Sequence, residues 1–371
     1  RAYQLRINHL LKKFKQKLIF SVALVVFFHF GMFVNQYGIY WCPFPVQAGS
    51  VYYGSIGVSL FFILSGATLT YSGHQKAFSL RRYYKKRFLT LFPSFYLAYA
   101  AAFLYLFYRS GVITPQAPKW TFLFTLLGLD GHLTRLVPNY YLVGEWFLGT
   151  IILLYLFYPL LAWAMKRWKT KALAAIGICY VALVYVYRFE GIPVEWNAAV
   201  RIPEMAFGIY FMNRYLEHKA PATPSLFSAL CALAVFLLAL LFPVPGYMIY
   251  NITAAGISAF LLLFYLGTLL HSRRLSMMVS WVSRYSYGIF LCHHIVLQQV
   301  CIRWQDRAFS TTELFCLLLV TMASIAFGAY WITKGGQCLA NFIAPPYAPS
   351  VAAVQDGPSS HRLEPFPSVK K

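Results

Sequence analysis

Ten apolar stretches, each roughly 17 to 25 residues and so about the length a helix needs to cross a bilayer, follow one another along nearly the whole chain. They cover about 18–37, 53–71, 88–108, 142–164, 172–187, 199–214, 225–242, 248–270, 285–302 and 311–333. Lipid offers the backbone no hydrogen-bond partners, so a spanning run must be a helix or part of a closed barrel, and these runs are too long and continuous for barrel strands. The expected fold class is all-α, a polytopic integral membrane helical bundle of about ten transmembrane helices. Composition agrees: 60% of the residues are hydrophobic and only 11% charged, far outside the soluble range. One transmembrane domain is expected over 1–335, with the Pro-, Ser- and Ala-containing segment 336–371 as a disordered cytoplasmic tail. A weaker patch, Trp120 to Leu129, is too short to span and reads as interfacial or re-entrant.

Lys and Arg set the expected orientation. With a cytoplasmic N-terminus and ten crossings, the inner segments hold 24 of them and the outer segments 7, with Arg284 at a boundary. Both termini are therefore expected in the cytoplasm, in a multi-pass protein of a bacterial inner membrane. The same asymmetry accounts for the net charge of +22 through topology and anionic lipid, with no nucleic-acid partner. The seven cysteines are scattered without paired spacing, which supports neither a disulfide framework nor a metal site. The first apolar run is span-length and lacks a small-residue cleavage site, so no cleavable signal peptide is expected. No internal repeat suggests the inverted halves of a transporter.

Ionisable side chains inside such runs are expensive and mark function by default. His29 is expected about halfway along the first run, and His293 and His294 about halfway along the ninth. Imidazole is the side chain suited to proton transfer near neutral pH. The bland alternative for each is a hydrogen bond to a neighbouring helix carbonyl. Adjacent helical residues point about 100° apart, so only one of His293 and His294 is expected to face the cavity that His29 faces. Glu145, beside Trp146 at the outer end of the fourth run, suits a sugar, or else an arginine such as Arg201. Arg201 and Glu204, three apart at the outer mouth of the sixth run, either support that site or bond to each other. On the inner side, the block Arg81-Arg82-Tyr83-Tyr84-Lys85-Lys86-Arg87 suits an anionic, phosphate-bearing donor such as a coenzyme A thioester, although orientation alone also demands charge there. The small residues at 54, 55, 57, 59, 65 and 66 suit close helix packing or a slim ligand channel. No GxSxG, HExxH or phosphate-binding glycine loop is present.

Six segments, in order, resemble the acyltransferase 3 family of polytopic membrane acyltransferases: LVVFFHF, GSIGVSLFFILSG, RRYYKKRFLTLFPSFYL, GEWFLGTIILLYLFYPLL, RIPEMAFGIY and YSYGIFLCHHIVL. The resemblance covers roughly residues 15 to 333. It implies ten helices with both termini cytoplasmic, and transfer of an acyl group, commonly acetyl, from cytoplasmic acetyl-CoA to an extracytoplasmic hydroxyl of a surface polysaccharide. It places the catalytic histidine at His29. Two positions depart from the family pattern: Leu18 and Thr90 stand where arginines are usual, while Arg87 is kept. The donor site is then expected to be built from Lys17, Arg81, Arg82, Lys86 and Arg87, with Glu145, Trp146, Arg201, Glu204, His293 and His294 on the acceptor side. No tightly bound cofactor is implied; acyl-CoA is a co-substrate. Membrane lipids, the glycan acceptor and polysaccharide-synthesis machinery are the expected partners. The competing readings are a transporter or flippase for a lipid-linked or polymeric saccharide, and succinyl in place of acetyl transfer.

Overall fold

The computed structural model of the chain describes residues 2–39, 46–74, 78–111, 117–187, 191–217, 225–269 and 273–345, with side chains from Lys17 onward except 268–280. The rest of the expected tail, 346–371, and the side chains of the basic N-terminal segment lie outside the described residues. The described chain is almost entirely helical. Ten long helices are α1 (Ala2–Gln36), α2 (Tyr53–His74), α3 (Leu80–Ser110), α6 (Glu145–Trp168), α7 (Thr170–Val186), α8 (Ala198–Leu216), α9 (Leu226–Leu241), α10 (Met248–Leu269), α11 (Arg273–Arg303) and α12 (Thr311–Ile343). Between α3 and α6 lie two short helices, α4 (Phe122–Leu126) and α5 (Asp130–Leu133). A two-stranded ribbon joins β1 (Gln47–Ala48) to β2 (Val51–Tyr52).

Six helices are long and apolar enough to cross a membrane: α1 from Lys17, α2, α3, α6, α10 to Gly267, and α12. Helices α7 and α9 are apolar but shorter. Several helices run past their apolar stretches, because backbone hydrogen bonding stops at a cap and not where hydropathy falls. Helix α3 starts at Leu80, where the Ser79 hydroxyl accepts from the Arg82 N–H, and stops at Gly111, whose left-handed backbone (φ 66°) lets its N–H reach the Phe107 carbonyl. Helix α11 begins at Arg273, well before the expected 285, and α12 continues to Ile343, so the domain limit expected at 335 falls inside a helix. His29 lies twelve residues after Lys17 and seven before the end of α1. The patch Trp120 to Leu129 folds as one short turn and α4 without crossing anything.

Apolar side chains such as Leu156, Ile178 and Leu237 face outward, while the centre is formed by α2 packed against α1, α8 and α10. Two glycine contacts bring α2 and α8 together. A Cβ on Gly66 would strike the Met205 carbonyl, and one on Gly208 would strike the Ile63 carbonyl. The Ser21 hydroxyl ties α1 to the same helix by donating to the Gly57 carbonyl at 2.6 Å. On the other side, α11 lies between α1 and α12. His29 and His293 are thereby carried on two packed helices.

Candidate active site

His29 is held by its own helix. Its Nδ1 lies 2.9 Å from the Val25 carbonyl, and a carbonyl can only accept, so Nδ1 carries the hydrogen and neutral His29 presents a bare Nε2. His293 repeats the pattern: Nδ1 donates to the Phe290 carbonyl at 2.7 Å and Nε2 is left free. That free Nε2 sits 3.3 Å from His29 Nδ1, so the His29 N–H is shared between Val25 and His293. The His294 ring packs 4.8 Å from the Phe33 ring and 5.4 Å from that of His29, centroid to centroid. Of the adjacent pair, His293 reaches the carboxylate, and neither ring lines the cavity that His29 lines.

Glu145 is that carboxylate. Its Oε2 lies 3.5 Å from His29 Nε2 and its Oε1 3.5 Å from His293 Nε2. Oε1 is buried and makes no hydrogen bond. Glu145 is the first residue of α6 and has a left-handed backbone (φ 41°), following Gly144 at φ 95°, a conformation that costs free energy outside glycine. The chain is forced into it from behind. Gly131 of α5 lies against the Glu145 backbone with no room for a side chain, and buried His132 approaches the Thr150 hydroxyl at 3.2 Å. Burial holds His132 below the usual histidine range and raises the neighbouring Asp130 carboxyl to about 7.

The donor atoms of His29, Glu145 and His293 all lie within 4.8 Å of one another. That spacing is short enough for one cation to bridge, although no metal site is expected from the sequence. One imidazole offers its N–H to the other's lone pair, an arrangement that moves protons better than it ligates a cation.

Two cavities meet near this cluster. The first, about 460 Å³, is lined by His29, Glu145, Trp146, Tyr52, Arg135 and Trp196 among others. The Trp146 and Trp196 rings stack at 5.9 Å with 4° between their planes, and the Arg135 guanidinium lies 5.1 Å over Trp196. The second, about 430 Å³, extends toward the end of the bundle where α1 and α3 begin; hydroxyl groups of Ser65, Thr68, Thr90, Ser283 and Ser286 line it, and among the described residues no charged side chain does. Both cavities are lined by Phe61, Phe147 and Phe290. The ring centroids of Phe61 and Phe290 lie 5.6 Å and 4.8 Å from that of Phe147. The three rings form a septum between the chambers.

The other residues singled out in the sequence are placed elsewhere. Arg201 and Glu204 pair with each other at 3.1 Å in complete burial, and the Ser59 hydroxyl donates to Glu204 at 2.7 Å. The Arg201 guanidinium lies 5.2 Å over Phe62, which stacks on Phe147, so this pair braces the septum from behind. Lys17 is buried with its Nζ 4.7 Å and 5.3 Å from the Phe264 and Phe260 rings of α10. Leu18, not Lys17, lines the second chamber, as does Thr90. Arg81, Arg82 and Lys86 are exposed at the start of α3. Arg87 lies 5.6 Å over the Tyr155 ring, and Tyr155 lines the second chamber. Sequence reasoning did not single out Arg135, Trp196 or the three phenylalanines. Trp is expected at any membrane interface, and one Phe among 33 carries no mark.

A family model described as an acyltransferase domain matches residues 19–334. No curated protein and no solved structure matches the chain. With the family match spanning nearly all of the described helices, the chain belongs to the acyltransferase 3 family of membrane acyltransferases.

Proposed function

We propose that the protein transfers an acetyl group from acetyl-CoA, presented at the end of the bundle rich in Arg and Lys, to a glycan hydroxyl entering at the opposite end. In this reading both termini are cytoplasmic, the long helices make ten crossings, and the membrane is a bacterial inner membrane. The observation that carries it is the pair of back-to-back chambers, one of them lined by His29, that share a wall of three aromatic rings. From Lys17 to His29 twelve helical residues span roughly 18 Å, the order of length of a pantetheine arm. The neutral, hydroxyl-lined chamber suits that arm's amides, with Arg87 near Tyr155 and the exposed Arg81, Arg82 and Lys86 left for the nucleotide phosphates. The hydroxyl groups that line it among the described residues suit the uncharged acetyl group, which is the acyl group of this reading.

On the other side, the stacked indoles of Trp146 and Trp196 offer a flat apolar face, and Arg135 and Glu145 offer polar groups, a combination that suits a sugar ring. His29 Nε2 accepts the hydroxyl proton as the oxygen attacks the thioester carbonyl. The Glu145 carboxylate stabilises the imidazolium so formed, and His293 steadies the ring through Nδ1. When the carbon–sulfur bond breaks, the thiolate takes the proton back from His29. The ester, free coenzyme A and neutral imidazole remain.

Purified protein incubated with labelled acetyl-CoA and acceptor glycan, read by glycan mass spectrometry, tests this. Label on the glycan supports the reading. Saccharide crossing a vesicle membrane without label supports the transporter instead, and normal labelling by His29→Ala removes His29 from the chemistry.

A further inference from the structure

A third cavity, about 630 Å³, lies on the far side of α11 from the septum, between α3, α11 and α12. It exists because the two flanking helices meet at one level and leave room above it. A Cβ on Gly336 would strike Ser94, which closes the lower end, and beyond that contact α3 presents only Ala98, Ala101 and Ala102 to the gap. The walls are otherwise almost wholly apolar up to the rim, where Arg109, Arg303, Tyr105, Gln299 and Trp304 gather. Arg109 lies in the last turn of α3 and Arg303 ends α11, and both are exposed. Neither has an acidic partner among the described residues, whereas Arg201 pairs with Glu204 and Arg307 with Glu313.

The dimensions single out one kind of occupant. From Ala98 to Arg109 the groove follows eleven residues of α3, about 17 Å, and from Leu291 to Arg303 twelve residues of α11, about 18 Å. One leaflet of hydrocarbon is about 15 Å, half of the ~30 Å bilayer core. A greasy slot one leaflet deep, with two guanidiniums that lack an acidic partner among the described residues, Arg109 touching only the Tyr105 hydroxyl at 3.5 Å, and an aromatic pair at its mouth, matches a lipid that carries phosphate at its headgroup. We infer that this groove binds one anionic phospholipid, its phosphate between Arg109 and Arg303 and an acyl chain lying along the alanine face of α3. This reading is independent of the acyl-transfer reading, since no group in the groove belongs to the histidine cluster.

The test uses the full chain purified in mild detergent and exposed to an equimolar mixture of phosphatidylglycerol and phosphatidylcholine. Native mass spectrometry then counts the lipids retained. One phosphatidylglycerol per chain, preferred at least fivefold, is the expected result. The double variant Arg109→Gln/Arg303→Gln should abolish that preference. Ala101→Trp, at an exposed groove position, should expel the lipid while leaving both arginines in place. Thermal melting of each variant within a few degrees of the parent shows that the fold is kept. Equal retention of the two lipids, or a preference unchanged in either variant, means ordinary boundary lipid and overturns the inference. Displacement of phosphatidylglycerol by millimolar inorganic phosphate overturns it too, by showing a free-anion site at the rim.

Discussion

Glu145 reaches His29 to 3.5 Å only because the first residue of α6 adopts a left-handed backbone, pinned by Gly131 from behind. The carboxylate spans the two Nε2 atoms of His29 and His293, while each imidazole spends its N–H on a backbone carbonyl. Charge built on either ring is therefore shared with one acid. His29→Ala should lower acetyl transfer by about 10²- to 10⁴-fold, the range for a lost general base, with membrane insertion unchanged. Glu145→Gln, which keeps the shape and removes the charge, should lower kcat with little change in KM. His293→Ala should cost more activity than His294→Ala, because only His293 touches both partners. Steady-state kinetics on the four variants checks the order.

Arg87 lies over Tyr155, which lines the second chamber. Arg87→Gln should raise KM for acetyl-CoA several-fold and leave kcat nearly intact. The same change at exposed Arg81 or Arg82 should have less effect, and the difference should shrink as salt rises. Acetyl-CoA titrations at low and high ionic strength report both.

Phe147 sits between Phe61 and Phe290 in the septum. Phe147→Leu narrows that wall without emptying it. The variant should hydrolyse acetyl-CoA in the absence of acceptor and accept butyryl-CoA better than the parent does. The ratio of free acid to glycan ester is the quantity to follow. An unchanged ratio shows that the rings do not separate the chambers.

How much of this site was legible in the chain depends on contrast. His29, Glu145 and His293 stand out as ionisable groups in apolar runs, and the structure gathers those three. The septum is invisible beforehand, because Phe61, Phe147 and Phe290 look like any core residue until three helices converge. Arg201 and Glu204 were equally conspicuous, yet they pair with each other three residues apart, and spacing alone does not distinguish that outcome from a ligand site. Helix existence follows from apolar runs, whereas helix ends follow from caps such as Ser79 and Gly111, outside any hydropathy signal. The folded segment from α4 to Glu145, held by Asp130, His132 and Asn139, has no periodicity to betray it.

Asp130 offers a pH test of that segment. Its carboxyl is shifted from 3.8 to about 7, chiefly by burial and against the pull of the Gly131 N–H and Thr125; Tyr99 faces it from α3. Since the folded state holds the proton more tightly, the contribution of Asp130 to stability is full below about pH 4. It is lost as pH rises toward 7, by up to about 1.4 kcal/mol per unit. Relative to Asp130→Asn, the parent should lose melting temperature between pH 5 and pH 8, since buried His132 pulls the other way in both chains alike. Melting curves at the two pH values decide it.

Gly208→Ala should cost about 1–3 kcal/mol, the usual range for overpacking, because its Cβ meets the Ile63 carbonyl and not a movable side chain. Gly177→Ala, where nothing lies within 4 Å, serves as the matched control and should leave melting unchanged or slightly raised.

The placement of α11 carries a consequence for biosynthesis. It supplies His293 to the imidazole pair and Phe290 to the wall between chambers, yet it leaves the ribosome only after α1 through α10. A nascent chain that has inserted α1 through α10 holds His29 without its partner and has an unfinished partition. Reactivity is thus withheld until α11 has been added, so a product truncated before α11 lacks both His293 and the third ring of the partition.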